Sequence, residues 1–413
     1  MMAKSLKVNF ERLQADVETL ARIGRHENYS LYRMAFSEGD QAAREWLQKR
    51  IQEAGLDLYV DGAANIHARF NWDGQRPSIM TGSHIDTVPG AGHLDGALGV
   101  LVGLECLRRF KELGLSLRHA VEAIAFTDEE GRFGGMLGSQ AICGQLTPEA
   151  IYNARDLDGM SLSQVMTAQG LNPTDILRAR RKPESVLAFL ELHIEQGPVL
   201  EREGVSIGVV EGIVGLFKWE ATLKGTANHA GTTPMDMRQD AFQGLAEFAG
   251  EIPRILEENG SARSVATIGR VEIFPGAANV VPGSVKFSLD VRDTEGVILR
   301  DLADAFRRAL SAIARRRGLM FEFEVLSEIE PVKCDPGLME AIFDAARNLG
   351  VEPLQMPSGA AHDTQIMATL TRAGMIFVPS QGGRSHSPAE WTPWEDIEIG
   401  ANVALNTLYQ LAH

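Results

Sequence analysis

In the first part of the chain, stretches with apolar residues at helical spacing alternate with short, mainly apolar runs. Spacings of three and four predict amphipathic helices over residues 10–24 and 38–55, and a mostly apolar helix over 96–114. Short apolar runs between them, at 55–70 and 76–84, predict strands. Helices that alternate with strands indicate an α/β domain with a largely parallel or mixed sheet. In such sheets, ligands bind beyond the carboxyl ends of the strands.

Two further apolar runs lead directly into polar clusters. They are HAVEAIAFTDEE, residues 119–130, and VLAFLELHIEQGP, residues 186–198. Each pattern predicts a buried strand that ends in acidic residues and histidine. The polar clusters therefore fall at the edge of the sheet where a ligand is expected.

The middle of the chain follows a different order. Its pattern predicts, in succession, a strand at 216–225, a helix at 237–257, strands at 264–274 and 283–293, a helix at 296–317 and a strand at 319–326. The order β-α-β-β-α-β is ferredoxin-like, with two helices on one face of the sheet. Because α/β signals resume near residue 336, this segment is predicted to be inserted. The predicted domains are residues 1–213 with 328–413, and residues 214–327.

Length and composition narrow the class of protein. A chain of 413 residues exceeds one ordinary core, in agreement with two domains, and 44% apolar with 23% charged residues is typical of a folded globular protein. The net charge of −15 argues against a nucleic-acid partner, which needs a basic surface. The sequence has no run of 18 apolar residues, so a membrane span is not expected.

The N-terminus and the cysteines indicate the compartment. The first twenty residues lack a long apolar segment and a small-residue cleavage site, so a secretory signal is not expected. Cys106, Cys143 and Cys334 are scattered and fit neither a disulfide framework nor a thiolate metal site. We therefore expect a cytoplasmic protein.

The stretch TGSHIDTVPGAGHLDG, residues 81–96, holds four candidate metal ligands: His84, Asp86, His93 and Asp95. Asp86 lies two residues after His84, so an extended backbone would direct both side chains to one face. That spacing suits a carboxylate that orients a ligating imidazole. Asp95 precedes a predicted helix, and N-capping is its ordinary alternative role.

Three consecutive acids follow the strand AVEAIAF. Asp128, Glu129 and Glu130 would form a solvated turn in most proteins. Here they end a strand predicted to be buried, and like charges at such a position are unfavourable unless cations neutralise them. The run therefore favours a metal site.

Two more histidines complete the set. His193 shares a strand face with Glu191 and Glu195, and His386 lies in the Gly/Ser-rich loop GGRSHSPAEW. Histidines and carboxylates without thiolates suit Zn²⁺, Mn²⁺, Co²⁺ or Ni²⁺. The surplus of carboxylates indicates two divalent metal ions rather than one.

Seven motifs in order now resemble one family. They are GSHIDTVPGAGHLDG, TDEEGRFGGMLGS, LHIEQGP, GTANHAGTTPM, NVVPG with LDVRD, SGAAHD and SHSPAEW. Together they resemble the hydantoinase/carbamoylase family of amidases, a branch of the di-metal M20 aminoacylase/carboxypeptidase superfamily. The resemblance implies a phosphorylase/hydrolase-like α/β catalytic domain and an inserted ferredoxin-like α+β domain that dimerises and acts as a lid.

The resemblance also implies roles for the metal-site residues. One metal ion would be bound by His84, Asp95 and His193, and the other by Asp95, Glu130 and His386, with Asp95 bridging. Glu129 would be the general base, and Asp86 would orient His84. His93 is not a ligand in this scheme. Peptidase relatives usually have a carboxylate at the position of His193, which favours carbamoyl or ureido substrates here.

Substrate-binding residues follow from the same resemblance. His229 would stabilise the oxyanion in the active site of a partner subunit, although an ordinary surface histidine is the alternative. Arg292 and Asn279 would bind a substrate carboxylate, unless Arg292 forms a salt bridge with Asp290 or Asp293. The remaining substrate contacts implied are Gln196 and Gly359, and His362 and Asp363 would be supporting or structural.

The sequence therefore predicts a homodimeric, metal-dependent amidohydrolase that cleaves N-carbamoyl-L-amino acids to amino acid, CO₂ and NH₃. Allantoate or ureidoglycolate is the alternative substrate. An exopeptidase or aminoacylase of the same superfamily is a second class, and a non-enzymatic binding protein on this fold is a third. His193, Arg292 and Asn279 speak against the peptidase.

Overall fold

The computed structural model describes residues 5–27 and 29–413. It divides into two compact units: the residues up to Glu211 together with Lys333–His413, and Gly212–Val332. No helix in these described ranges is both long enough and apolar enough to cross a bilayer.

The helices and strands of the described residues are numbered in chain order. The α-helices are α1 Phe10–Leu20, α2 Glu38–Glu53, α3 Ala97–Glu112, α4 Leu137–Cys143, α5 Pro148–Asn153, α6 Leu162–Ala168, α7 Val199–Glu203, α8 Ala241–Asn259, α9 Gly296–Arg317, α10 Pro336–Asn348, α11 Asp363–Met367 and α12 Trp394–Ala412. The strands are β1 Asp57–Val60, β2 Ile66–Phe70, β3 Ser78–His84, β4 Ala120–Phe126, β5 Val186–Ile194, β6 Gly208–Ile213, β7 Gly215–Lys224, β8 Asn228–His229, β9 Val265–Thr267, β10 Val271–Phe274, β11 Val280–Val281, β12 Ser284–Asp293, β13 Met320–Ile329, β14 Val332–Lys333, β15 Leu354–Ser358 and β16 Arg372–Val378.

The first unit is built on a mixed nine-stranded sheet. Its order is β1-β2-β4-β3-β5-β16-β6-β14, with β15 paired to β6. The central strands β4, β3, β5 and β16 are parallel, whereas β1 and β2 are antiparallel additions at one edge. Every residue of β3 and β4 is buried, as expected of central parallel strands that are covered on both faces. The carboxyl ends of β3, β4 and β5 therefore meet at one edge, as the sequence predicted.

The apolar run at 55–70 forms two strands separated by a tight turn. The Asp61 carboxylate accepts hydrogen bonds from the backbone N–H groups of Ala63 and Asn65, both at 2.9 Å. Ala64 adopts a left-handed conformation with φ 63°. The turn folds β2 back on β1, so this stretch is a hairpin.

The second unit contains a five-stranded antiparallel sheet, ordered β10-β12-β7-β13, with β9 also paired to β12. Its main elements follow the β-α-β-β-α-β order expected from the sequence. Burial alternates along β7 and β12, so that one face packs on α8 and α9. The run predicted as one strand at 264–274 is divided into β9 and β10. All four residues of β10 are exposed along the edge of the sheet.

Candidate metal centre

The ends of β3 and β5 and the loop before α3 bring three predicted ligands together. His84 is the last residue of β3, and His193 is the penultimate residue of β5. Asp95 Oδ1 lies 3.5 Å from His84 Nε2 and 3.2 Å from His193 Nε2. All three side chains are buried. These residues form the first of two ligand trios that contain Asp95.

The other oxygen of Asp95 belongs to a second trio. Asp95 Oδ2 lies 3.3 Å from His386 Nε2, and that nitrogen lies 3.5 Å from Glu130 Oε1. The ligand atoms within each trio are within 4.8 Å of one another. Asp95 is therefore shared between the two trios, in the arrangement expected of a bridging ligand.

Backbone carbonyls fix the orientation of both buried histidines. His84 Nδ1 lies 2.9 Å from the carbonyl oxygen of Asp86, and His193 Nδ1 lies 2.9 Å from that of Ile194. A carbonyl only accepts, so each Nδ1 carries hydrogen and the neutral ring presents the lone pair of Nε2. His193 Nε2 also accepts a hydrogen bond from Gly96 N at 3.0 Å. Both rings thus direct a ligating nitrogen at Asp95.

The residues fit a divalent metal by their chemistry. Lone pairs of imidazole nitrogen face carboxylate oxygens, which is unfavourable unless a cation or protons lie between them. Glu130 Oε1 is buried without a hydrogen-bond partner in the described structure. Mixed nitrogen and oxygen donors are the set that first-row divalent ions prefer. The donors leave the identity of the metal open.

The electrostatics show the same excess of negative charge. Burial, the charge of Asp95 and other neighbours raise the pKa of Glu130 to about 7. Burial, together with the charges of Asp363 and Glu130, raises the pKa of Glu129 well above its usual range despite the opposing charge of His84. Burial opposes ionisation of Asp95 too, but the protonated forms of His193, His386 and His84 hold the pKa of Asp95 well below normal, and Asp95 in turn raises the pKa of each of these histidines. A site in which carboxylates retain protons is one that cations can neutralise.

Asp86 orients His84 as predicted, but through its backbone oxygen and not through its carboxylate. Its carboxylate Oδ1 lies 3.9 Å from His84 Nδ1, beyond hydrogen-bond distance, and the backbone oxygen of Asp86 orients the ring instead. The carboxylate accepts hydrogen bonds from Glu130 N at 3.1 Å and Glu129 N at 3.4 Å. Asp86 therefore holds the loop that carries the predicted base and a predicted ligand.

Asp95 does not cap α3. The N-cap residue is Gly96, which makes no side-chain capping bond. The Asp95 carboxylate instead accepts hydrogen bonds at Oδ2 from Gln196 Nε2 and Ser385 Oγ, both at 2.7 Å. The alternative prediction that Asp95 is an N-cap is therefore wrong. Gln196, which was predicted to contact the substrate, donates a hydrogen bond to this predicted ligand.

Sequence reasoning missed Glu390. This buried carboxylate accepts hydrogen bonds from Leu94 N at 2.8 Å and Asp95 N at 3.1 Å, and its other oxygen lies 3.2 Å from Ser385 Oγ. Gly92 makes room for it, because a Cβ there would lie 2.4 Å from the Glu390 Cβ. The only available signal was an acid four residues after His386 in SHSPAEW.

Residues in left-handed backbone conformations surround the centre. Asp128, Gln196 and His386 have φ values of 55°, 58° and 53°. Such conformations cost non-glycine residues about 1–3 kcal/mol each and are concentrated at functional sites. Asp128 turns back to accept hydrogen bonds from Arg132 N at 2.7 Å and Phe133 N at 2.9 Å. It shapes the loop after β4 and, unlike Glu129 and Glu130, belongs to none of the candidate metal-binding groups of the described residues.

Three other residues named in the sequence analysis, His93, His362 and Gly359, lie outside the two ligand trios. His93 lies against Trp391, with ring centroids 5.8 Å apart, and burial lowers its pKa to about 4. His362 contacts Ser358 Oγ through Nε2 at 2.9 Å, and its ring packs on His193. Gly359 is exposed between β15 and α11. His93 is in neither Asp95 trio.

In the second unit, His229 and Asn279 are neighbours. β8 pairs with β11, and Ala230 N donates to the carbonyl oxygen of Asn279 at 2.9 Å. His229 Nδ1 accepts hydrogen bonds from Gly231 N at 3.0 Å and Thr232 N at 3.2 Å. The neutral ring therefore carries its hydrogen on Nε2 and presents a donor from an exposed position.

Arg292 forms the alternative salt bridge. Its Nε lies 2.9 Å from Asp290 Oδ1, and its Nη2 lies 3.3 Å from Oδ2, so the pair is bidentate. Lys218 Nζ also lies 3.4 Å from Asp290. The guanidinium is thus held in one orientation at the end of β12.

The comparisons with known proteins agree with this fold. Residues 80–410 match peptidase family M20/M25/M40. The chain therefore belongs to this family, whose members generally use two metal ions.

Its relatives refine the assignment. The chain is 40% identical to the N-carbamoyl-L-amino acid amidohydrolase of Geobacillus stearothermophilus, over 97% of this chain and 98% of the relative. It is 33% identical to the allantoate amidohydrolase of Bacillus subtilis, over 96% of each chain. The solved structure of a hydantoinase/carbamoylase family amidase from Burkholderia multivorans superposes with a TM-score of 0.92 at 33% identity, covering 98% of both chains. Within the M20 family the chain falls in the hydantoinase/carbamoylase branch, which confirms the resemblance of the motifs.

Proposed function

We propose that this protein hydrolyses the ureido C–N bond of N-carbamoyl-L-amino acids, as a metal-dependent amidohydrolase. The observation that carries the proposal is the pair of ligand trios that share Asp95 at the ends of β3, β4 and β5. Membership of the hydantoinase/carbamoylase branch supports the ureido substrate. The reaction consumes one water and converts the N-carbamoyl group to CO₂ and NH₃, with release of the free amino acid.

The proposed metal ligands are His84, Asp95 and His193 for one ion, and Asp95, Glu130 and His386 for the other. Zn²⁺, Mn²⁺, Co²⁺ and Ni²⁺ all suit these donors. When bound, such ions polarise the carbonyl group and make water acidic enough to supply a nucleophile near neutral pH.

Glu129 is the proposed general base. Its side chain is 8% exposed, and its Oε2 lies 3.5 Å from His84 Nε2, directly beside the first trio. From this position it would take a proton from the attacking water and deliver it to the leaving nitrogen. Asp86 supports this role through the backbone N–H groups of Glu129 and Glu130, which it holds in place.

Residues of the second unit are proposed to recognise the rest of the substrate. His229 would donate from Nε2 to the developing oxyanion, and its two backbone partners at Nδ1 fix that tautomer. Arg292 and Asn279 would bind the carboxylate. The planar guanidinium suits bidentate pairing, and Asp290 already holds it in a fixed orientation. Gln196 and Gly359 are the proposed contacts from the first unit.

We further propose a homodimer in which His229 serves the active site of the partner. The exposed apolar edge of β10 supports association, because open strand edges that carry valine, isoleucine and phenylalanine are normally covered. A cytoplasmic location fits three cysteines that are all unpaired.

Substitution Glu129→Gln tests the chemistry. The variant should bind two metal ions per chain, as the wild type is expected to, while kcat falls by about 10²-fold or more, because removal of a general base has effects of this size. Metal content by elemental analysis and ammonia release from N-carbamoylmethionine are the two measurements. Wild-type turnover in Glu129→Gln would remove Glu129 as the base.

Mixed protomers test the shared active site. His229→Ala and Glu129→Gln chains are each expected to be nearly inactive alone. Verified heterodimers of the two should recover part of the wild-type activity, because one of the two sites then has both residues intact. Heterodimers as inactive as either parent would contradict the contribution of His229 in trans.

Allantoate or ureidoglycolate hydrolysis is the second candidate function, because relatives at 32–33% identity carry the names ureidoglycolate hydrolase and allantoate amidohydrolase. Ammonia release from a panel with N-carbamoyl amino acids, allantoate and ureidoglycolate decides between them. Turnover of a dipeptide with none of these compounds would instead favour the exopeptidase.

A further inference from the structure

A cavity of about 530 Å³ lies beside the candidate metal centre, within the first unit. Glu130 and Asp86 line it, and the same Glu130 faces His386 and Asp95 in the second ligand trio. The cavity and the centre therefore share a wall. Its volume is in the range of sites that hold small organic groups.

The remaining wall is mainly apolar. Met34, Phe36, Val88, Pro89 and Leu157 contribute most of the uncharged side chains. Phe36 packs on Phe133, with ring centroids 6.2 Å apart, and holds a left-handed conformation with φ 60°. A phenylalanine in that conformation is unusual, and local strain of this kind marks positions whose placement matters.

Arg132 joins three of the four chain segments that line the cavity, residues 34–38, 130–132 and 156–158. Its Nη1 donates to the carbonyl oxygen of Ala35 at 2.7 Å, and its Nε and Nη2 lie 3.2 and 3.1 Å from Asp156 Oδ2. Asp156 Oδ1 in turn accepts hydrogen bonds from the backbone of Asp158 and Met160. The charge of Arg132 is thus balanced within the wall, and the cavity is formed in advance of any ligand.

Leu157 stands at the tip of this fastened turn, on the rim, and its side chain is fully exposed. Two exposed residues of the lining carry a charge, Glu38 and Asp158, and both are acidic. An anionic group would be repelled from this rim, whereas an apolar group would cover Leu157 and gain from leaving water.

We propose that this cavity binds the apolar side chain of the substrate and selects N-carbamoyl amino acids with extended hydrocarbon side chains. The inference rests on the proposed function. In such a substrate the α-carbon is two bonds from the carbonyl carbon that reacts, so the side chain must enter space that adjoins the centre. The cavity walled by Glu130 is space of that kind, and its lining selects against acidic or strongly polar side chains.

The test is a substrate series on the metal-loaded enzyme. N-carbamoyl derivatives of glycine, alanine, 2-aminobutyrate and norvaline should show kcat/KM rising about four-fold per added carbon, which is the transfer free energy of one methylene expressed as a rate ratio. N-carbamoylleucine should exceed the similarly sized N-carbamoylaspartate by a larger factor. The ratio of kcat/KM for norvaline to that for glycine is the quantity compared among variants.

Two variants act on different walls. Val88→Phe fills the cavity and should lower the norvaline-to-glycine ratio about ten-fold or more. Leu157→Ser removes apolar surface from an exposed turn, where folding does not depend on it, and should lower the ratio at least about four-fold, the value of one methylene. Leu177→Ser is the matched control, because Leu177 is an exposed leucine outside the cavity lining and should leave the ratio unchanged.

The outcomes separate this inference from the proposed function. A flat or falling series in an enzyme that turns over N-carbamoylglycine would overturn the cavity assignment alone, as would a rising series that neither variant alters. Faster turnover of allantoate than of every N-carbamoyl amino acid would also overturn it, because the occupant would then be a polar ureido group. Failure to hydrolyse any N-carbamoyl amino acid would overturn the proposed function, and the inference with it.

Discussion

Removal of the Glu390 carboxylate should loosen the candidate metal centre without touching a predicted ligand. Glu390 Oε1 accepts hydrogen bonds from the backbone N–H groups of Leu94 and Asp95. In Glu390→Ala both donors would remain buried and unpaired, at about 1–3 kcal/mol each. Burial and the charge of Asp95 raise the pKa of Glu390, which shows that the ionised carboxylate is unfavourable at this position. Its removal therefore offsets part of the destabilisation caused by the two unpaired N–H groups. We expect a net loss of about 2 kcal/mol in the free energy of unfolding.

The larger effect should be on metal affinity. Residues that support metal ligands typically contribute 10- to 100-fold in affinity. Because Glu390 holds the backbone of the proposed bridging ligand, both ions should bind more weakly in Glu390→Ala. Competition with a chromophoric chelator measures that affinity without any substrate, and urea unfolding of the metal-free protein measures the stability. Glu390→Gln keeps an acceptor for the two N–H groups and should remain close to the wild type.

Asp240→Ala provides a matched control. Asp240 Oδ1 also accepts two backbone hydrogen bonds, from Phe242 and Gln243, but lies in the second unit, which contains none of the proposed ligands. Its loss should lower stability and leave metal affinity unchanged. Wild-type metal affinity in Glu390→Ala, or an equal loss of affinity in Asp240→Ala, would refute the reasoning.

Three further predictions follow from other contacts. Gly92→Ala places a Cβ against Glu390, so it should reproduce the loss of metal affinity expected of Glu390→Ala. In a chelator titration, the double variant should lose less metal affinity than the sum of the two single losses. Burial raises the pKa of Asp40 to about 6, so the favourable contribution of its protonated form to folding is complete below about pH 4 and is lost as the pH rises through 6. Asp40→Asn should therefore be more stable than the wild type by up to about 3 kcal/mol at pH 8 and by little at pH 4. Urea unfolding of the metal-free protein at the two pH values measures the difference. Addition of Mn²⁺ at about 100 times its dissociation constant should stabilise the folded protein by about 2.7 kcal/mol for each site that is filled, and an unfolding midpoint independent of the metal would contradict binding to the native site.

Local patterns were sufficient to predict most elements of this fold. The apolar runs that break into acids after Phe126 and Ile194 identify strands that end at a site, because that pattern is set by neighbouring residues. Turns within the runs were harder to predict. The hairpin at 61–65 depends on the Asp61 carboxylate folding back on its own backbone, which the periodicity of apolar residues does not reveal.

Residue type marks candidate ligands, whereas the partners of each side chain depend on long-range geometry. Histidine and carboxylate types made His84, Asp95 and His386 candidates, and the family resemblance assigned their roles as ligands, which stay predictions. Glu390 could not be placed, because it reaches Leu94 N across 296 positions of the chain. Asp86 contacts His84 as predicted, but through its backbone carbonyl, since spacing fixes which face a side chain lies on but not which neighbouring backbone groups its carboxylate binds.

The exposed edge of β10 has a consequence for handling the protein. If the edge is covered in a dimer, as we propose, dilution below the dimer dissociation constant would uncover Val271, Ile273 and Phe274 on folded protomers. Loss of activity on storage would then begin with dissociation and edge-to-edge aggregation, not with unfolding. Concentrated stocks should outlast dilute ones, and a lysine at position 273 should improve the solubility of the free protomer and weaken its self-association.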